Sequence, residues 1–275
     1  MHQFLLLGGD PRQLCLSRIL SGHGQQVISY YDPSPDFSLE KSMKGSDIIL
    51  CPVPFTKDRT TIFSVNGLAG LDIDAFLPLL REGHALFGGN IPFIVREHCS
   101  HMHIPCLDYM KLEAVTQKNT IATAEGALAE AISLSPMNLH QSRCLVTGWG
   151  RCARTLAHKL KGLDAQVTVA GRSMEKLAQC LPLGYESMSL SELGPVIHQY
   201  DFIFNTIPAL VLDKSLIASM DRDAAVIDIA TAPGGVDFHA CRETGIRAKL
   251  CPGLPGIYSP KASALILYEA VMEHL

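Results

Sequence analysis

Residues 144–170 constrain the fold more than any other part of the chain. The apolar run Cys144-Leu-Val-Thr147 passes directly into Gly148-Trp-Gly150-Arg-Cys-Ala153, after which Ala153, Leu156, Ala157, Leu160 and Leu163 recur at helical spacing. The order is strand, glycine turn and helix, with a second strand over Gln166–Ala170. In such a unit the first glycine permits the tight turn and the second lets backbone approach a pyrophosphate. The small third residue lets helix and strand pack closely, and the phosphates sit on the helix N-terminus. The spacing therefore predicts a dinucleotide site over Gly148, Trp149, Gly150, Arg151 and Cys152, with a purely structural glycine turn as the alternative.

The end of the second strand selects the dinucleotide. NAD-binding units place Asp or Glu there, about 20 residues after the glycines, to take the adenosine ribose hydroxyls. Here the place holds Gly171-Arg172-Ser173. A guanidinium can pair with a 2′-phosphate and a serine hydroxyl can donate to it, so this ending favours NADP. Arg151 is a second candidate for that phosphate, and a solvated turn is the alternative for Arg172. The strand Asp201–Asn205 ends in Thr206-Ile207-Pro208, where a chain leaving the sheet's carboxyl edge passes the nicotinamide half. Pro208 fixes the backbone there, or simply ends the strand.

The rest of the chain alternates in the same way. Before the glycine turn come strands at Phe4–Leu7, Val27–Tyr31, Asp47–Pro52, His84–Phe87 and Pro105–Tyr109, with helices at Arg12–Leu20, Asp72–Arg81 and a stretch ending at His101. After it come helices at Met174–Leu181 and near Lys214–Met220, and strands at Ala224–Ile229 and Ala248–Cys251. Alternation of this kind implies parallel sheets covered by helices. The Ala-rich stretch Thr120–Leu134 reads as a long connecting helix. The expectation is two Rossmann-like, doubly wound parallel-sheet domains joined by that helix, with Pro260–Leu275 crossing back to the first. The domains are then 1–119 plus 260–275, and 120–259. An active cleft is expected between the lobes, with hinges near Thr120–Ala124 and Pro252–Gly256.

Composition narrows the partners. A net charge of −4 over 275 residues gives no broad positive field for nucleic acid. No apolar run approaches the roughly 20 residues of a membrane span. Nine cysteines without a CxxC pair read as reduced thiols, and the chain as cytoplasmic with no signal peptide. The segment His98-Cys-Ser-His-Met-His103, followed by Cys106, invites a zinc reading. Its neighbours read as a helix end, which scatters those ligands, so no metal is expected.

Several segments together are more specific than any glycine motif. Gly8-Gly-Asp-Pro-Arg-Gln13, Ala124-Glu-Gly126, Gly148-Trp-Gly-Arg151, Asn205-Thr-Ile-Pro-Ala-Leu-Val-Leu212, Asp228-Ile-Ala and Pro233-Gly-Gly-Val-Asp-Phe238 resemble the A-subunit of dipicolinate synthase, from Gly8 to about Lys261. The resemblance implies NADP-dependent oxidation of dihydrodipicolinate, or its hydrated precursor, to dipicolinate, the calcium-chelating pyridine dicarboxylate of bacterial endospores. It also implies a flavoprotein-like partner, the B-subunit of dipicolinate synthase, and a homo-oligomer is expected as well. A second resemblance, to shikimate dehydrogenase, rests on the Gly-Arg-Ser strand end and the Asn-Thr-x-Pro loop, and a non-catalytic NADP-binding partner protein is a third reading.

Making an aromatic ring from a dihydropyridine is favourable, so the protein's task is chiefly positioning plus removal of one proton. The two substrate carboxylates need cationic or amide partners. Arg12, beside Asp10, could clamp one, or could simply pair with Asp10. Lys261 could hold the other or move a proton, or stand solvated. Glu125 could be a base or a surface carboxylate. Backbone at Pro54 and at Gly88, Gly89 and Asn90 could line the pocket.

Overall fold

The computed structural model describes residues 2–32, 34 and 36–275. They fall into two compact units, Met1–Asn119 with Ser259–Leu275, and Thr120–Tyr258.

In the first unit β1 (Gln3–Leu7), β2 (Gln26–Tyr30), β3 (Ile48–Leu50), β4 (Ala85–Gly88) and β5 (Cys106–Asp108) form one sheet in the order β2-β1-β3-β4-β5, every pair parallel. Both faces are covered, which is why β1 reads as a continuous apolar run, Phe4-Leu-Leu-Leu7, and not as an alternating one. Leu5, Leu7, Ile49, Phe55, Phe76 and Val95 build the core on one face. On the other, Phe4, Leu6, Leu16, Leu20 and Phe87 meet Ala264, Leu267, Ala270 and Val271. The last four belong to α11 (Pro260–Glu273), which packs on α1 (Pro11–Gly22), so the terminal helix completes the core of the first unit. Burying a leucine or valine in this way stabilises by about 1.5–3 kcal/mol each.

The remaining helices here are α2 (Leu39–Lys44), α3 (Ile73–Phe76) and α4 (Phe93–His101). The single helix expected over 72–81 breaks into α3 and a 3-10 turn, Leu77–Leu79, because Pro78 supplies no N–H for a continuing α ladder.

The connecting helix α5 runs from Glu113 to Leu134, seven residues longer at its start than the Ala-rich pattern suggested. Its Ala124, Ala127, Leu128 and Ala131 enter the core of the second unit. There β6 (Arg143–Thr147), β7 (Gln166–Gly171), β8 (Glu186–Ser189), β9 (Phe202–Asn205), β10 (Ala225–Asp228) and β11 (Arg247–Leu250) pair in the order β11-β10-β9-β6-β7-β8, all parallel. The helices are α6 (Arg151–Gly162), α7 (Met174–Leu177), α8 (Lys214–Ala218), α9 (Phe238–Thr244) and α10 (Leu254–Tyr258). Winding direction reverses between β6 and β9, and ligands of such sheets bind at the carboxyl ends of the strands beside that reversal.

Gly126 lets α10 lie directly on α5, since a Cβ there would stand 2.9 Å from Leu254 Cβ and Tyr258 Cδ2. The buried Glu130 secures the same corner by accepting from Lys249 Nζ at 2.5 Å.

Candidate functional site

The glycine turn sits at the reversal point. Gly148 has φ +92°, and a Cβ on it would come within 2.7 Å of Thr206 Oγ1 and 3.1 Å of Ile207 Cγ1, so only glycine fits. Its N–H donates to Ala170 O at 2.7 Å, which ties the turn to β7. Gly150 caps α6 with extended backbone and no side-chain hydrogen bond. A Cβ there would meet nothing within 4 Å, so the space in front of the helix N-terminus is open, as a pyrophosphate requires. The apolar stripe of α6, Ala153, Leu156, Ala157 and Leu160, is fully buried and holds that N-terminus on the sheet.

A cleft of about 260 Å³ lies over this turn. Its walls are Gly148, Trp149 and Gly150, then Gly171, Arg172, Ser173, Lys176 and Leu177, then Thr206, Ile207 and Pro208. Three separate segments of the sequence prediction are thus brought together. Ser173 caps α7, accepting from Lys176 N at 3.3 Å, which leaves its own O–H to donate. Lys176 is the residue that sequence reasoning missed. The spacing Arg172-Ser173-x-x-Lys176 places it one helical turn beyond Ser173, on the same wall as Arg172.

Trp149 contributes differently from its glycine neighbours. Its ring packs edge-on against Tyr185 at 5.6 Å, Arg154 stands over it at 5.6 Å, and the side chain is buried. Arg151 and Cys152, expected on the cofactor, begin α6 outside the lining of the cleft. Burial pushes the Cys152 thiol up, against the opposing charge of Arg151.

Asn205 also departs from expectation. It is fully buried, and both atoms of its amide are bonded to protein: Oδ1 accepts from Thr147 Oγ1 at 2.6 Å and from Ile207 N at 3.1 Å, while Nδ2 donates to Ile207 O at 3.0 Å and Asp228 Oδ1 at 2.8 Å. It supports the wall and does not face the cleft.

The first-unit residues stand at the carboxyl ends of their strands, but most are already engaged. Arg12 Nε donates to Asp10 Oδ1 at 2.9 Å and its Nη2 to Asp10 Oδ2 at 2.7 Å; Nη2 also donates to Val53 O. Both side chains are nearly buried, so Arg12 is a brace across the β1 and β3 turns and not an open fork. Gly89 N donates to Pro52 O at 3.1 Å and Asn90 N to Asp108 Oδ1 at 2.9 Å, which occupies the amides expected to line a pocket. Gly88 and Gly89 are buried, with a Cβ at Gly89 2.6 Å from Val53 Cγ1; Pro54 is half-buried. Lys261 is exposed at the start of α11. In the second unit, Glu125 accepts from Lys159 Nζ at 2.8 Å on the surface. Among the described residues, no group of three or more His, Cys, Asp or Glu side chains is placed to hold a metal ion, and no helix is long and apolar enough to cross a membrane.

The parallel sheets, the glycine turn and the cleft at the reversal point define an oxidoreductase of the nicotinamide-dependent dehydrogenase type. Residues 128–243 match the shikimate/quinate 5-dehydrogenase family, and residues 3–110 the N-terminal domain of the dipicolinate synthase A-subunit. Over nearly its whole length the chain is similar to dipicolinate synthase A-subunits. It is 27% identical to the dipicolinate synthase A-subunit of Bacillus subtilis over 98% of its own length and 94% of that protein. The crystal structure of the dipicolinate synthase A-subunit from Bacillus halodurans superposes with a TM-score of 0.85 at 27% identity, covering 99% of this chain and 97% of that one. The Bacillus subtilis structure gives 0.84 at 26% identity, covering 99% and 95%. A transhydrogenase from Sinorhizobium meliloti, 13% identical with a TM-score of 0.66 over 98% and 92% of the two chains, shares the fold.

Proposed function

We propose that this protein oxidises dihydrodipicolinate, or its hydrated precursor, to dipicolinate with NADP as acceptor, acting with a flavoprotein-like partner of the B-subunit kind. The observation that carries the reading is that Arg172, Ser173 and Lys176 line the same cleft as Gly148 and Gly150, in a chain similar over nearly its whole length to the dipicolinate synthase A-subunit.

Gly148, Gly150 and the α6 N-terminus would hold the pyrophosphate. Arg172, Ser173 and Lys176 would hold the ribose 2′-phosphate through a guanidinium fork, a hydroxyl and an ammonium, where an acidic residue would have repelled it. Thr206, Ile207 and Pro208 would wall the nicotinamide half. Bound there, NADP would supply the hydride acceptor; dihydrodipicolinate loses one hydride and one proton as it becomes aromatic, and its hydrated precursor loses one water besides.

Because aromatisation drives the step, the chain's own contribution is to position the substrate and receive the proton. Arg12 and Asp10 shape the turn after β1. Lys261, at the start of α11, is the exposed cation assigned to a substrate carboxylate or to the proton; Glu125 is the carboxylate assigned as base, once released from Lys159. A homo-oligomeric state and a role in spore formation belong to the same reading. The match of residues 128–243 to shikimate/quinate dehydrogenases favours one alternative, an NADP oxidoreductase of another small carboxylate.

The chain's one tryptophan, Trp149, lies in the glycine turn, so its emission should be quenched by energy transfer to bound NADPH. Titration with NADPH and NADH, followed by an assay of nicotinamide reduction with dihydrodipicolinate and with shikimate, tests the proposal. Tighter binding of NADPH and turnover of dihydrodipicolinate are expected. Turnover of shikimate alone would overturn the substrate, and binding of NADH alone would overturn the cofactor.

A further inference from the structure

Beneath the cleft of the second unit lies a tier of polar groups that no ligand can reach. Asp228, at the end of β10, is fully buried. Its Oδ1 accepts from Asn205 Nδ2 at 2.8 Å and from Ala230 N at 3.0 Å, and its Oδ2 accepts from Gly235 N at 2.7 Å. Asn205, one strand over, spends its remaining capacity on both backbone polar groups of Ile207 and on Thr147. Ile207 is the member of this chain of contacts that lines the cleft.

The loop after β10 closes on the same segment from the other side. A Cβ at Gly235 would fall 2.4 Å from Ala209 O, 2.5 Å from Ile207 O and 2.7 Å from Asn205 Nδ2. Gly235 O accepts from Val211 N at 2.9 Å and Leu212 N at 3.0 Å. A Cβ at Gly234, which has φ +85°, would fall 2.3 Å from Asp228 Oδ2. Residues 206–212 are therefore held between Asn205 and a glycine loop, and the Asp228 side chain is bonded to both.

We infer that Asp228 is the positioning residue for the nicotinamide half of the dinucleotide: it orients Asn205 and the Gly235 loop, which together fix the Ile207–Pro208 wall. The inference rests on the NADP reading above and adds a division of labour within the site. The groups assigned to the adenosine end, Arg172, Ser173 and Lys176, share no hydrogen bond with this tier, so disturbing Asp228 should be felt at one end of the cofactor only.

The test compares two probes by calorimetry. One is 2′,5′-ADP, which carries the adenosine and its 2′-phosphate without nicotinamide; the other is NADPH. Asp228→Asn is nearly isosteric but sets an amide N–H₂ against at least one of the three donors now satisfied. Gly235→Ala removes no polar group and wedges the loop away from Ile207. Each variant should weaken NADPH about tenfold while 2′,5′-ADP binds as in the wild type, which also certifies that the variant is folded. Equal weakening of both probes, or no weakening of NADPH, would overturn the positioning role. A wild type that binds neither probe would remove the dinucleotide reading itself, and this inference with it.

Discussion

Arg12 Nη2 lies 2.7 Å from Asp10 Oδ2, and side-chain exposures of 7% and 12% make this a nearly dry ion pair. Removing one partner of such a pair strands the other charge, which costs about 3 kcal/mol or more. Arg12→Ala should therefore lower the denaturant midpoint of the first unit by a corresponding amount. Chemical unfolding of wild type and variant decides the matter. An open substrate clamp would instead give a variant of unchanged stability and raised KM.

Cofactor choice should follow the cations at the end of β7. Arg172→Ala and Lys176→Ala are each expected to weaken NADPH about tenfold, the worth of one charge-assisted contact, while leaving NADH unchanged. Quenching of Trp149 emission reads both nucleotides. If Lys176→Ala has no effect and Arg151→Ala does, the 2′-phosphate lies on the helix side of the cleft.

Gly148→Ala combines positive φ with a Cβ 2.7 Å from Thr206 Oγ1. Either the turn or the Thr206 loop must move. The expected result is loss of NADPH quenching with the far-ultraviolet circular dichroism retained. A variant that binds normally would show that the turn has room to relax.

His84 gives the first unit a pH dependence. It is buried, its Nδ1 accepts from Arg81 N at 3.3 Å, and its Nε2 stands 3.1 Å from Met43 O and 3.2 Å from Arg81 Nε. Burial, and then the charge of Arg81, hold its pKa below the ordinary 6.5. The unfolded chain therefore binds a proton at higher pH than the folded one, so stability is full above that ordinary value and falls as pH drops below it. Thermal unfolding between about pH 7 and pH 5 should show this loss, and His84→Gln should flatten it. An unchanged slope in the variant would assign the pH dependence to other groups.

Much of the fold was legible because buried parallel strands are short apolar runs, and β1, β3, β6, β9 and β10 are of that kind. β8 was invisible: Glu186-Ser-Met-Ser189 is a partly solvated edge strand with no apolar face to mark it. α9 is too short for a helical period to show, α7 stops four residues before the end of the helix expected over Met174–Leu181, and α5 begins with Glu113-Ala-Val-Thr-Gln-Lys-Asn119, which lacks the alanine density of its later turns.

At the site, glycine spacing and the Arg172-Ser173 strand end located the cleft. What stayed hidden were relations among side chains. Residue types alone do not say that Arg12 turns inward to Asp10, that Asn205 spends its amide on Ile207 and Asp228, or that Lys176 comes round onto the wall of Arg172.

The helix α11 places the order of synthesis at odds with the order of folding. Phe4, Leu6, Leu16 and Leu20 leave the ribosome early, yet the apolar surface they share is closed by Ala264, Leu267, Ala270 and Val271, made only after all of residues 120–258. Until α11 is in place, one face of the first sheet lacks its cover. A released chain truncated before Pro260 should present that face to chaperones, and the chain that carries Pro260–Glu273 should not.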